Sequence, residues 1–306
     1  MGISLKKTPF QWAPTPFSHK FQTEKAKIVK SKKINISALL SILAYLPTAG
    51  LAGEKHQDDQ PASVTPVACT GYGPQTPRDI DQKTGKNRRS FSLAPHFTAL
   101  NLCNIHFHVN AEHKAKDFSI FAGAGDHGHG GGYQCVASKS LTPSELTPLQ
   151  NNNCAGVQAG DTIEVHWVHS SCDITPGKGL GSCLSQSCAN PNLRVETQVF
   201  TVVNDASALN FNDMNYDGHK ANGLHQAKSI PDNTGAPVEF LGSTTGPAYS
   251  EQSCSPMQVS WSVRPNCAKL DINSLSQWCA KNAFMEDHAH GVRQLVVNPD
   301  LLSKID

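Results

Sequence analysis

The 306-residue chain lacks the marks of several protein classes. It has no long block of like charge, no polar low-complexity tract and no internal repeat, which excludes disordered and solenoid architectures. None of its 10 cysteines forms a C-x-x-C pair, so zinc knuckles and thioredoxin-like redox sites are excluded. The apolar stretch Ile34 to Leu46 is 13 residues long and interrupted by Asn35. As a helix it would reach about 20 Å, short of the roughly 30 Å of a bilayer core. Long amphipathic helical patterns are also missing, and Ile272 to Phe284, opened by Asn273 or Ser274 as a cap, is the best short helix.

Charge is unevenly distributed. Residues 1–52 hold eight lysines and one glutamate, leaving 18 basic and 24 acidic side chains and a net of −6 beyond them. An acidic body argues against nucleic-acid binding. The lysines from Lys25 to Lys33, the apolar stretch, and the small residues from Thr48 to Ala52 form the three-part pattern of a secretory signal. The expected organisation is a signal segment at 1–52 and a polar linker at 53–66, then one folded domain at 67–306. It would be periplasmic or secreted, with no membrane anchor after cleavage. All ten cysteines follow the signal, an even count that reads as disulfides in an exported domain, with Cys267/Cys279 a possible short-range pair.

Strand-like runs rich in Val, Ile, Phe, Trp and Thr occur at Leu102 to Val109, Thr162 to Val168, Val195 to Val203 and Gln258 to Val263. Gly, Pro, Asn and Ser clusters separate them. The expected fold is mainly β (α+β), a single domain around a large, mostly antiparallel sheet with a few short helices.

Within the first run, His106 and His108 project from the same strand face, because side chains alternate with period two. Cys103, Ile105 and Phe107 are expected on the other. In Asp161 to His169 the same parity puts Glu164, His166 and Val168 together and His169 opposite, as a packing histidine. A third imidazole from His166 would complete a three-nitrogen site with one open position, the pattern of catalytic zinc. Glu164 is spaced to accept the other ring N–H of a ligand histidine. The segment Gly242-Ser243-Thr244-Thr245-Gly246-Pro247 reads as a turn leading into Val259-Ser260-Trp261.

Taken in order, these segments resemble the carbonic anhydrases. His-Phe-His, Glu-x-His-x-x-His and Gly-Ser-x-Thr match the α class. Leu102-Cys103-Asn104, Ala111-Glu112-His113, Gly160 to Trp167 and Arg194 to Phe200 are similar to the δ class. The resemblance runs from about Cys69 to the C-terminus and implies zinc-dependent, reversible hydration of carbon dioxide to bicarbonate and a proton. It implies zinc (Zn2+) as cofactor, His106, His108 and His166 as its ligands, and Glu164 as the carboxylate behind them. Thr245 would be the gatekeeper hydroxyl, backed by Glu112, and Val168, Val259 and Trp261 would line the carbon dioxide pocket. Cys69 and Cys254 occupy positions similar to a disulfide of exported α-class enzymes. Glu196 falls where an apolar pocket residue is expected, and about six extra residues separate Thr245 from Trp261. Proton shuttles are sought in His113, His127 and His129, whose ordinary pKa lies near neutrality; the last two also fit a solvated glycine-rich loop.

Two rivals stand beside this reading. A cupin-type oxygenase fits His106-x-His108-x3-Glu112 but lacks the glycine after the glutamate and the second cupin motif. An exported, non-catalytic zinc-binding module could use the further pairs His127/His129 and His288/His290, but such a module needs no gatekeeper.

Overall fold

The β-branched and aromatic runs pair into one six-stranded sheet. The structure, a computed structural model, describes residues 69–126 and 129–306, and only the backbone of Asp126 and His129. The expected signal segment (1–52), the linker (53–66), the domain start at Val67 and His127 lie outside the described residues. The strands are β1 (Asn101–Val109), β2 (Thr162–Ser170), β3 (Leu193–Val203), β4 (Val238–Ser243), β5 (Gln258–Val263) and β6 (Ala268–Asp271). Pairings β1–β2, β2–β3 and β4–β5 are antiparallel. Along the free edge of β3, β5 pairs in parallel with Arg194 to Thr197 and β6 with Phe200 to Val203, so the two lie end to end. The fold is thus mainly β with a large mixed sheet, and β4 and β6 are strands that the sequence pattern did not reveal. Gly242 and Ser243 belong to β4, not to a turn. A side chain at Gly242 would collide with Thr76 Oγ1, 1.9 Å from an added Cβ, so only glycine lets that segment cross β4 so closely.

Every residue of β2 and β3 is buried, because both sheet faces are covered. One face presents Leu102, Ile105, Phe107, Val165 and Trp167 to α1 (Ile272–Ala280), which contributes Ile272, Leu275 and Trp278. Each such large apolar side chain contributes about 1.5–3 kcal/mol on full burial. The helix is shorter than expected and its cap is Asp271, not Asn273 or Ser274: the Asp271 carboxylate accepts from both of their backbone N–H groups. That cap is worth about 1 kcal/mol. The opposite face collects Val168, Val195, Val199, Phe240, Val259 and Trp261, and the histidines of interest lie on this side.

Strand parity fails at one place. A bulge between Leu102 and Asn104 leaves Cys103 unpaired and turns it to the Val168 and Val195 side, while Leu102 joins Ile105 and Phe107. Cys103 therefore does not share the face of Ile105. It is no metal ligand for a different reason: it is bonded to Cys183.

All ten cysteines are paired: Cys69–Cys254, Cys103–Cys183, Cys135–Cys267, Cys154–Cys279 and Cys172–Cys188. The Cys267/Cys279 pair does not form, because Cys267 packs on the Val168 and Trp261 side of the sheet whereas Cys279 belongs to α1 on the Leu102 and Phe107 side. Cys267 takes Cys135, at the end of the short strand Tyr133–Cys135, and Cys279 takes Cys154 from a loop. Cys154–Cys279 ties the 141–161 connection to α1, and Cys69–Cys254 fastens the start of the domain to the loop before β5. Five bridges place the fold in an oxidising environment. No helix among the described residues is long and apolar enough to cross a membrane.

Candidate metal centre

Antiparallel register brings the chemistry together. His106 lies opposite His166, and His108 opposite Glu164, so the four side chains form a patch across β1 and β2 on one face. One ring nitrogen from each of His106, His108 and His166 lies within 4.8 Å of the others.

The far nitrogen of each ring meets an acceptor. His106 Nδ1 is 2.6 Å from Asn104 Oδ1, and that amide is oriented by its own donation to Gly177 O. His108 Nδ1 is 3.0 Å from Gly291 O, and His166 Nε2 is 2.7 Å from Glu164 Oε1. Each of these nitrogens must carry the proton, because its partner can only accept. The lone pairs of His106 Nε2, His108 Nε2 and His166 Nδ1 are then left to converge. His106 Nε2 and His166 Nδ1 stand 3.2 Å apart, two lone pairs facing each other, and His108 Nε2 is buried with no hydrogen-bond partner. A cation relieves both defects, so the donor set fits a borderline metal such as zinc. Burial, reinforced by the neighbouring rings of His166, His108 and His290, drives His106 well below the ordinary histidine pKa. Burial likewise lowers His108. Both rings are held neutral, as ligands must be.

Glu164 is fully buried and its Oε1 also meets His113 Nδ1 at 2.7 Å, while Oε2 accepts the His113 backbone N–H at 3.1 Å. Burial alone would raise its pKa. Electrostatic attraction to the His113 and His166 rings and the hydrogen bonds they donate outweigh that and hold the carboxyl well below the ordinary range. His113 is itself completely buried, its ring 4.8 Å from that of Trp261. It therefore has no exposed edge from which to pass a proton to solvent; it is a buried support of Glu164. The His129 backbone forms a small hairpin, Gly125–Asp126 with His129–Gly130.

Val168, Val259 and Trp261 are buried on the metal-site face, and the Trp261 ring centre is 5.1 Å from that of His166. Glu196 is not in that wall. It opposes Trp167 on the other face and is paired with Arg194 at 2.5 Å. His169, also opposite, is buried and donates from Nδ1 to Trp167 O.

Thr245 is half-buried just beyond β4. Its neighbour Thr244 is committed elsewhere, with Oγ1 2.6 Å from Ser255 Oγ. Glu112 Oε1 accepts the Arg293 backbone N–H at 2.9 Å, and Oε2 is buried without a partner. No hydrogen bond joins Glu112 to Thr245, and Glu112 Oε2 keeps its acceptor capacity unused.

Three supports were not foreseen. Asn104 shares the parity of His106, a signal that was available. The carbonyl of Gly291 and the N–H of Arg293 are backbone groups that carry no signature in the sequence. His290, whose Nε2 is 2.8 Å from Glu286 Oε2, brings a fourth ring within 5.8 Å of His106 and 5.9 Å of His108, centre to centre. The Glu286 hydrogen bond raises its pKa.

A converging trio of imidazoles on a sheet face, with a buried carboxylate behind one of them, is a site on a β scaffold that could hold a metal ion. The sequence model of the delta carbonic anhydrase family matches residues 97–274. That span is more than half of the chain and includes all three histidines, and the chain belongs to this family. No curated protein and no solved structure matches.

Proposed function

We propose that the protein is a zinc-dependent carbonic anhydrase, exported and acting in the periplasm or outside the cell, that hydrates carbon dioxide reversibly to bicarbonate and a proton. The observation that carries this reading is the set of three lone pairs left by three pinned imidazoles, within a chain of the delta carbonic anhydrase family. His106, His108 and His166 would hold the ion, with Glu164 fixing the tautomer of His166. A zinc ion in such a site supplies a water ionised near neutral pH.

The chain's own residues then have separable tasks. Val168, Val259 and Trp261 wall the site with apolar surface against which carbon dioxide, which carries no net charge, can rest without displacing a hydrogen-bonded partner. The Thr245 hydroxyl orients the attacking oxygen. It can do so in one sense only if its proton is committed to a carboxylate, and the unpartnered Glu112 Oε2 is a buried acceptor suited to that. His113 keeps Glu164 ionised and aligned.

The test is metal analysis and stopped-flow carbon dioxide hydration on the oxidised protein from Gly53 onward. Stoichiometric zinc with turnover abolished by chelator is the expected result. Zinc bound without hydration would favour the non-catalytic module, and iron or manganese in place of zinc would favour the oxygenase.

A further inference from the structure

Arg293 is 2 % exposed, and no carboxylate lies within ion-pair distance of it among the described residues. Its guanidinium instead forks to two backbone carbonyls from distant segments: Thr76 O at 2.6 Å and Ser250 O at 2.7 Å. The fork lies 5.9 Å from the centre of the Tyr249 ring, and Nε has no partner. For stability alone this is a poor use of a buried site, because an unpaired cation with an unsatisfied donor is costly there.

The surroundings supply a reason. Residues 290–293 run as a strap along β1: the His290 N–H donates to Phe107 O, and the Val109 N–H to His290 O. From this strap Gly291 O receives His108 Nδ1–H, and the Arg293 N–H donates to Glu112 Oε1. Ser250, at the other end of the fork, lies in the loop that follows Thr245. A cavity of about 600 Å³ opens between that loop, the strap and the Phe121 to Tyr133 hairpin. At the strap itself the guanidinium joins the two through Ser250 O; the loop's other tie to this part of the chain is further on, where the Glu251 carboxylate accepts the Val297 and Asn298 N–H groups. Arg78 shows the contrast. It too is buried and bonded to carbonyls, those of Ser303, Gln82 and Thr84, but its segment makes no hydrogen bond to the three histidines or to Glu112.

We propose that Arg293 is a positioning residue for the hydration reaction, its fork locking the 290–293 strap to the Thr245–Cys254 loop so that Glu112 and the Thr245 hydroxyl keep a fixed relation beside the metal centre. This rests on the carbonic anhydrase reading above. It adds a residue outside the matched 97–274 span that acts through Glu112 and the loop, not by touching substrate.

The experiment compares wild type, Arg293→Met and Arg293→Lys at saturating zinc, measuring kcat per bound zinc, KM for carbon dioxide, and Tm. Arg293→Met should lower kcat by about 10- to 100-fold, the size usual for a lost support of a metal-site group, with KM within about twofold. Lysine, a single point charge, should not rescue fully. The loss should be non-additive with Glu112→Gln, since both changes disable one unit. A kcat per zinc within about twofold of wild type, with only Tm reduced, overturns the proposal, as does strict additivity with Glu112→Gln. If the methionine variant does not fold, the lysine variant is judged by the same criteria. A wild-type zinc protein that does not hydrate carbon dioxide overturns the parent reading and this one together, whereas an active wild type with an equally active Arg293→Met overturns this one alone.

Discussion

Glu164→Gln is the most informative single change in the centre. The carboxylate takes three hydrogen bonds with no water access: His166 Nε2 and His113 Nδ1 on Oε1, and the His113 N–H on Oε2. Glutamine keeps one acceptor oxygen and replaces the other with an NH2 group. If the oxygen faces the two rings, the new NH2 opposes the His113 backbone N–H. If the amide flips, it opposes two ring N–H groups. Either way at least one buried donor is stranded, at about 1–3 kcal/mol, and the charge assistance of the others is lost. In the flipped case His166 escapes the clash by moving its proton to Nδ1, the nitrogen that must bind metal. Zinc affinity should therefore fall by roughly 10- to 100-fold, about 1.4–2.7 kcal/mol at 1.36 kcal/mol per decade. The fold should survive, since the sheet and five disulfides are untouched. Chelator competition measures the zinc affinity, and far-ultraviolet circular dichroism checks the fold. Wild-type zinc affinity in a folded Glu164→Gln variant would refute the claim that this carboxylate fixes the tautomer.

His106→Ala, His108→Ala and His166→Ala should each lose most bound zinc, while His169→Ala keeps it. Zinc analysis on purified variants decides, and loss from His169→Ala alone would overturn the assignment. His169 also makes a pH prediction. Burial lowers its pKa from 6.5 to about 3, so the unfolded chain binds the extra proton first. The stability tied to its neutral form is complete above pH 6.5 and declines as pH falls toward 3, by at most about 1.4 kcal/mol per pH unit. Denaturant titrations from pH 7 to 4 should show a shallower slope in His169→Gln. Thr245→Ala should keep zinc and lose turnover by roughly 100- to 1,000-fold. Thr244→Ala should instead lose about 1–3 kcal/mol of stability by stranding the buried Ser255 hydroxyl, with near-normal turnover; activity per zinc and denaturant midpoints distinguish them, and the reverse pattern would shift the register by one residue. Breaking Cys154–Cys279 by a double serine substitution should cost about 2–5 kcal/mol, and an unchanged Tm would show that the bridge contributes nothing.

Local periodicity carried far along this chain. Side chains two apart on a strand share a face whatever the strand pairs with, so His106 with His108, and Glu164 with His166 and Val168, were legible from spacing alone. So were four of the six strands, the opposite orientation of His169, and, through family resemblance, the Cys69–Cys254 bridge. Parity broke only at Cys103, because a bulge is a property of two strands and not of one. Everything else depended on which segments meet. Register decided that His106 faces His166 and that Glu196 leaves the pocket side to pair with Arg194. Chain path decided the partners of Cys267 and Cys279, buried His113 beneath Trp261, and committed Thr244 to Ser255. The groups that fix His108 and Glu112, Gly291 O and the Arg293 N–H, are peptide atoms present at nearly every residue. Only the tertiary fold, by carrying residues 290–293 along the edge of β1, singles them out.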